Sequence, residues 1–225
     1  MQYSLRACLI ALVGLVAFSL PSSSETAAPK SEVPQKRVYS ENFDGADRSL
    51  MLGGQLDFTN AKSKWLLTVS DGKMVLENRF NPMSLQYQDI KWVRYEGERT
   101  VSTTEDARIS VTVEAANQGR GGAGVLVGSG KLGNYLVFAV GKEGHFHVLQ
   151  KERGKARFVY SGQSELVNVQ GANRVTFAHR DGKVAFFANG KELIAMPYKP
   201  RTPLGVGLAA FGIGSFTFDD VEISK

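Results

Sequence analysis

Apolar and polar positions alternate with period two along much of the chain beyond Val38. The clearest case is residues 106–115. Ile109, Val111 and Val113 fall on one side, and Arg108, Ser110, Thr112 and Glu114 on the other. That is the signature of a half-buried strand. Glycine-bounded apolar runs follow at 124–128, 135–140 and 145–150. Asp71-Gly72, Asp181-Gly182 and Asn189-Gly190 each stand between two such runs and predict tight hairpins. The glycines of 119–124 read as a further hairpin connection. No stretch sustains a helical period, and 24 glycines suit many turns. About a dozen short strands without helices predict an all-β, two-sheet antiparallel sandwich. Residues 81–104 read as a long loop at its rim.

The C-terminal stretch adds a local prediction. Residues 204–225 read as two strands joined by a glycine-rich turn. Phe218, Val221 and Ile223 cannot all face one way under strict alternation, because 218 and 221 differ in parity. A β-bulge at Asp219-Asp220 restores the match.

The N-terminal part reads as an address. Arg6 precedes an almost wholly apolar run, residues 7–20, of 14 residues. A spanning helix needs about 20. Residues 1–24 are therefore expected to be a secretory signal. Residues 25–37 form a linker rich in Pro, Ser, Ala and charge, and 38–225 a single folded domain. The expected location is periplasmic or secreted, with no membrane association after cleavage. The rival reading is an uncleaved anchor. Cys8, the only cysteine, precedes most of the apolar run and does not suit a lipid anchor. The exported part would hold no disulfide and rely on its core.

The formal charge is +5, and loss of Arg6 with the leader leaves +4. Lys151, Arg153, Lys155 and Arg157 form the densest basic stretch, broken by Glu152 and Gly154. It reads as a solvated hairpin, so no nucleic-acid partner is expected. Gly119-Arg-Gly-Gly-Ala-Gly124 spells a dinucleotide fingerprint. Yet Val125-Leu126-Val127 continues as a strand, where the pyrophosphate needs a helix N-terminus.

Candidate chemistry is sparse. There is no Gly-x-Ser-x-Gly elbow, and no catalytic residue, resident metal or cofactor is assigned. His145 and His147 flank Phe146, which puts both on one face of a strand about 6–7 Å apart. They suit either a zinc ion shared with a third ligand such as His179, or a polar face opposite Phe146 and Val148. Asp219 and Asp220 suit the bulge better than calcium, which wants six or more oxygens from several segments. Tyr87, Trp92 and Tyr95 lie among Gln88, Asp89, Lys91 and Arg94. Flat rings mixed with planar hydrogen-bonding groups suit a sugar platform. The candidate ligand-binding residues are Tyr87, Trp92, Arg94, Tyr95, His145 and His147. Trp65 is expected in the core, and Trp92 in either core or site.

Several segments in order carry a resemblance. They are Ser40-Glu-Asn-Phe-Asp-Gly45, Trp65 before Val75-Leu76-Glu77, Asn134-Tyr-Leu-Val-Phe138 and Asn173-Arg-Val-Thr-Phe177. Phe186-Phe-Ala-Asn-Gly190-Lys-Glu-Leu, Gly205-Val-Gly-Leu208 and Phe218-Asp-Asp-Val-Glu-Ile223 complete them. Together they resemble the concanavalin A-like lectin/glucanase superfamily, with its laminin G-like jelly roll. Bacterial exported domains of the 3-keto-disaccharide hydrolase type are similar. The resemblance implies a jelly-roll sandwich and carbohydrate binding or glycoside cleavage. The Glu-x-Asp-x-x-Glu strand of the superfamily's glucanases has no counterpart here. The expectation is an exported, non-catalytic domain binding a carbohydrate or cell-envelope polymer. The alternatives are a glycoside hydrolase of the 3-keto-disaccharide type, with or without the assistance of a metal, and a structural protein-interaction module.

Overall fold

The computed structural model describes residues 37–44, 65–79, 91–94, 107–129, 134–152, 155–180, 182–198 and 204–225. They form twelve strands: β1 (Arg37–Glu41), β2 (Trp65–Ser70), β3 (Lys73–Asn78), β4 (Lys91–Arg94), β5 (Ala107–Ser129) and β6 (Tyr135–Val140), then β7 (His145–Glu152), β8 (Lys155–Gln163), β9 (Asn173–Arg180), β10 (Lys183–Ala188), β11 (Lys191–Pro197) and β12 (Leu204–Ser224). Among the described residues there is no α-helix, only a three-residue 3-10 turn at Lys142–Gly144. Every strand pairing is antiparallel.

The predicted hairpins form. Strands β2 and β3 meet around Asp71 and Gly72, whose φ values are 51° and 68°. Strands β10 and β11 meet around Asn189 and Gly190, at 52° and 80°. Two successive left-handed residues are what a two-residue turn needs to match strand twist. Strand β10 also returns along β9, with Lys183 opposite Arg180.

Two expectations are corrected. The glycines of 119–124 are not a hairpin connection, and residues 204–225 are not two strands joined by a turn. Strand β5 runs unbroken for 23 residues and β12 for 21. They pair along most of their length, with an irregularity between Phe211 and Ile213. Through these two strands one continuous sheet serves both layers. One layer runs β11-β10-β9-β5-β12-β3-β2, with β1 also on β12. The other runs β8-β7-β6-β5-β12-β4. Glycine lacks a Cβ and so permits a bend as readily as a turn. At Gly214, with φ 145°, a Cβ would collide with the Ala116 carbonyl oxygen.

The layers close on an apolar core. Phe138 of β6 stacks on Phe186 of β10, with ring centroids 4.6 Å apart. Ile109, Val111 and Val113 face it from β5 as the alternation predicts, and Trp65 is buried there too. The bulge is present. Asp219 opposes Thr112 and Glu222 opposes Ser110, so Asp220 and Val221 together span Val111. Phe216, Phe218, Val221 and Ile223 are all buried as a result. Asp220 takes φ 48° there, and its carbonyl accepts from Arg174. Arg174 also reaches Glu222 at 3.4 Å.

Candidate functional site

The layer containing β4 and β8 has a second face, turned away from the core. On it sit Gly122, Gly124 and Gly128, alternating with core-facing Ala123, Val125 and Val127. A Cβ on Gly124 would strike the Phe138 carbonyl oxygen, and one on Gly128 would come within 2.6 Å of Tyr135 Cβ. Strand β6 thus leans over this face, which marks the face as concave.

The register lays out the face in rows. One row crosses Ser161, His147, Ala139, Gly124 and Ala209, and ends at position 92. The next crosses Phe158, Leu149, Val137, Leu126 and Gly207, and ends at position 94. Four strand spacings of about 4.8 Å separate His147 from position 92, roughly 19 Å in all. His145 and His147 therefore share this face, and the register sets positions 92 and 94 in the same layer. Trp92 and Arg94 sit on β4, an edge strand inside a segment expected to be loop. Tyr87 and Tyr95 lie outside the described residues.

Strand β7 presents Val148 and Phe146 to the core and the two histidines to the concave face. His147 is 1 % exposed, with its ring 5.4 Å from Phe158 and 5.5 Å from Phe211. It does not face solvent. Its Nδ1 lies 2.8 Å from Ser161 Oγ. His145 is half-buried at the end of the face. The Gln163 amide donates to Glu143 O and to His145 Nε2, each at 3.3 Å.

The zinc reading fails on this geometry. The two imidazoles stand 6.1 Å apart and within 11° of parallel, so they do not converge on one point. His179, the third candidate ligand, lies on β9 with the same parity as core-facing Val175 and Phe177. It is therefore between the layers, on the far side of the sheet from His147. Among the described residues no three of His, Cys, Asp and Glu gather to hold a metal.

Polarity is graded along the face. Its floor is apolar and buried, including Val137, Ala139, Leu149, Ala209 and Phe211. Tyr135 closes the end opposite His145, and burial pushes its phenol above the ordinary range. Lys151 Nζ lies 5.5 Å over the Tyr135 ring. At the His145 end Ser161 and Gln163 are exposed. None of the described positions on this face carries Asp or Glu. Glu143 and Glu152 stand at its rim, both exposed. Tyr135, Phe158, Ser161, Gln163 and Phe211 were absent from the candidate list. Strand β8 hides its periodicity behind a bulge opposite Val148 and Leu149.

No protein-family model matches the sequence, and no curated protein matches it. Solved structures do. A β-1,3-1,4-glucanase (lichenase) from a mouse hindgut metagenome superposes with a TM-score of 0.58 at 11% identity, over 82% of this chain and 97% of that one. A β-glucanase of Bacillus licheniformis gives 0.55 at 10%, over 83% and 97%. The catalytic domain of an endo-1,3-β-glucanase (laminarinase) from Thermotoga petrophila RKU-1 gives 0.54 at 10%, over 85% and 98%. Identities this low speak to architecture alone. The two layers, the strands shared between them and these likenesses identify the fold as the concanavalin A-like jelly roll.

Proposed function

We propose that this chain is an exported β-sandwich that binds a carbohydrate or cell-envelope polymer on its concave face, without catalysis. The structural neighbours named as glucanases support the carbohydrate half of this reading. The observation that carries the non-catalytic half is the lack of acids among the described positions of that face. Glycosidases of the common kind flank the scissile bond with two carboxylates. The described concave positions supply none. What they do supply suits recognition. An apolar floor is bordered by a ring nitrogen, a hydroxyl and an amide at His145, Ser161 and Gln163, groups that meet sugar hydroxyls.

The test is a glycan panel applied to the exported protein, followed by an assay for new reducing ends. Retention of at least one glycan without release of sugar is the expected result. If nothing is retained, the recognition reading is wrong. The glycoside-hydrolase reading stays as the alternative because the matched structures are named as glucanases. Cleavage of a glycan or a 3-keto-disaccharide by the purified protein would establish it in place of the first.

A further inference from the structure

Five described residues other than glycine hold a positive φ. Four of them have a local reason for it. Asp71 and Asn189 sit in two-residue hairpin turns, where short polar side chains tolerate the left-handed region. Asp220 makes the bulge. Phe43 is 2 % exposed and belongs to the core. Glu143 is the fifth, at φ 62° and ψ 29°, and its side chain is exposed. Among the described residues no hydrogen bond or ion pair engages its carboxylate. The turn around it is fixed from several sides. The Lys142 N–H donates to Asn117 Oδ1 at 2.8 Å, the Gly141 N–H to His145 O at 2.8 Å and the Ser164 N–H to Gly144 O at 2.9 Å. The Gln163 amide holds Glu143 O itself at 3.3 Å. Glycine would take this conformation without steric cost, whereas a side chain there opposes folding. Strain that the surroundings enforce on a solvent-facing side chain points to use of that side chain.

We infer that Glu143 is a ligand-binding residue, whose carboxylate accepts hydrogen bonds from sugar hydroxyls at the His145 end of the concave face. One Gln163 amide reaches both Glu143 O and His145 Nε2, so the two residues border the same spot. An ionised carboxylate only accepts, through two oxygens, and a hydroxyl of a sugar is a donor that suits it. Such charge-assisted bonds are about twice as strong as neutral ones. Glu143 lies on the exposed rim, so a sugar meets it without entering the buried floor. This rests on the carbohydrate-binding reading above, and it adds a contact residue and the chemical group that residue meets.

The experiment measures melting and glycan affinity for the parent, Glu143→Gly and Glu143→Gln. The probes are laminarin, mixed-linkage β-1,3-1,4-glucan and a neutral galactan, together with any glycan that the panel retains. Glu143→Gly removes the strain and the carboxylate together. Its melting temperature should equal the parent's or exceed it by up to about 4 °C, while its affinity should fall about tenfold or more. Glu143→Gln keeps the strain and removes the charge. It should melt within about 2 °C of the parent and bind about three- to tenfold more weakly. Equal or better folding with poorer binding is a combination that a merely structural residue does not give. Parent-like affinity in either variant overturns the inference while the carbohydrate reading stands. A fall of more than about 2 °C in the melting temperature of Glu143→Gly removes the strain argument and the inference with it. If the parent retains no glycan at all, both readings fall.

Discussion

Two single-residue deletions in β12 test the link between register and core. The bulge lets Val221 and Ile223 follow Phe216 and Phe218 into the core although their parity differs. Asp220 is the extra residue, so deleting it leaves a regular strand in which Asp219 still opposes Thr112, Val221 alone opposes Val111 and Glu222 still opposes Ser110. Val221 and Ile223, now 1 % and 0 % exposed, keep their inward parity. The deletion also removes a residue at φ 48°, and it should stay within about 1 kcal/mol of the parent. Deleting Glu222 does the opposite. It moves Ile223 to the outward row opposite Ser110 or, with the bulge undone, turns Val221 outward and Asp220 inward. Burial of one such side chain is worth about 1.5–3 kcal/mol, so this deletion should cost at least that much. With a urea slope of about 2 kcal/mol/M the midpoint should fall by roughly 0.75–1.5 M or more. Urea denaturation followed by tryptophan fluorescence measures the parent and both deletions. Equal midpoints for the two deletions would refute the reasoning.

Three further perturbations have expected outcomes. Burial raises the Asp219 carboxyl above its ordinary value, more than its bond to the Asp220 N–H lowers it. Its protonated form is thus favoured by folding, a contribution present at low pH and lost as pH rises through the folded value. Asp219→Asn keeps an acceptor for that N–H, 2.7 Å away, and should gain stability near pH 7 but not near pH 3, on either side of the carboxylate range; equal gains at both would contradict it. Neither ring nitrogen of His179 has a hydrogen-bond partner, and the residue is 4 % exposed. His179→Leu should therefore leave stability unchanged or raise it by about 1 kcal/mol, and a loss beyond about 2 kcal/mol by calorimetry would count against the account. Gly124→Val should cost about 1–3 kcal/mol or more, because the Phe138 carbonyl occupies the place of the new Cβ; a melting curve like the parent's would mean the sheet is not curled there.

Much of the fold was legible because burial on one face writes itself as parity. Ile109, Val111 and Val113 against Ser110 and Thr112 is such a record, and the break between Phe218 and Val221 located the bulge. Asp71-Gly72 and Asn189-Gly190 were readable because few residues accept two positive φ values. The continuity of β5 and β12 was not legible. A glycine run in sequence marks either a turn or a close approach of a neighbouring strand, and only the Phe138 and Ala116 carbonyls decide which. Strand β4 escaped because Lys91–Arg94 is four residues long and shows no full period. Setting positions 92 and 94 in one layer with His145 and His147 depends on register across five strands. The parity of His145 and His147 was legible, but the burial of His147 under Phe158 and Phe211 comes from tertiary packing.

The most direct measurement is the response of the histidine rings to glycan. The chain has three histidines, which makes their imidazole NMR signals separable. His145 and His147 lie on the concave face, and His179 lies between the layers as an internal control. The account predicts that a bound glycan shifts the His145 and His147 ring signals and leaves His179 in place. Saturable binding that moves none of the three, or that moves His179 while His145 stays still, would contradict it.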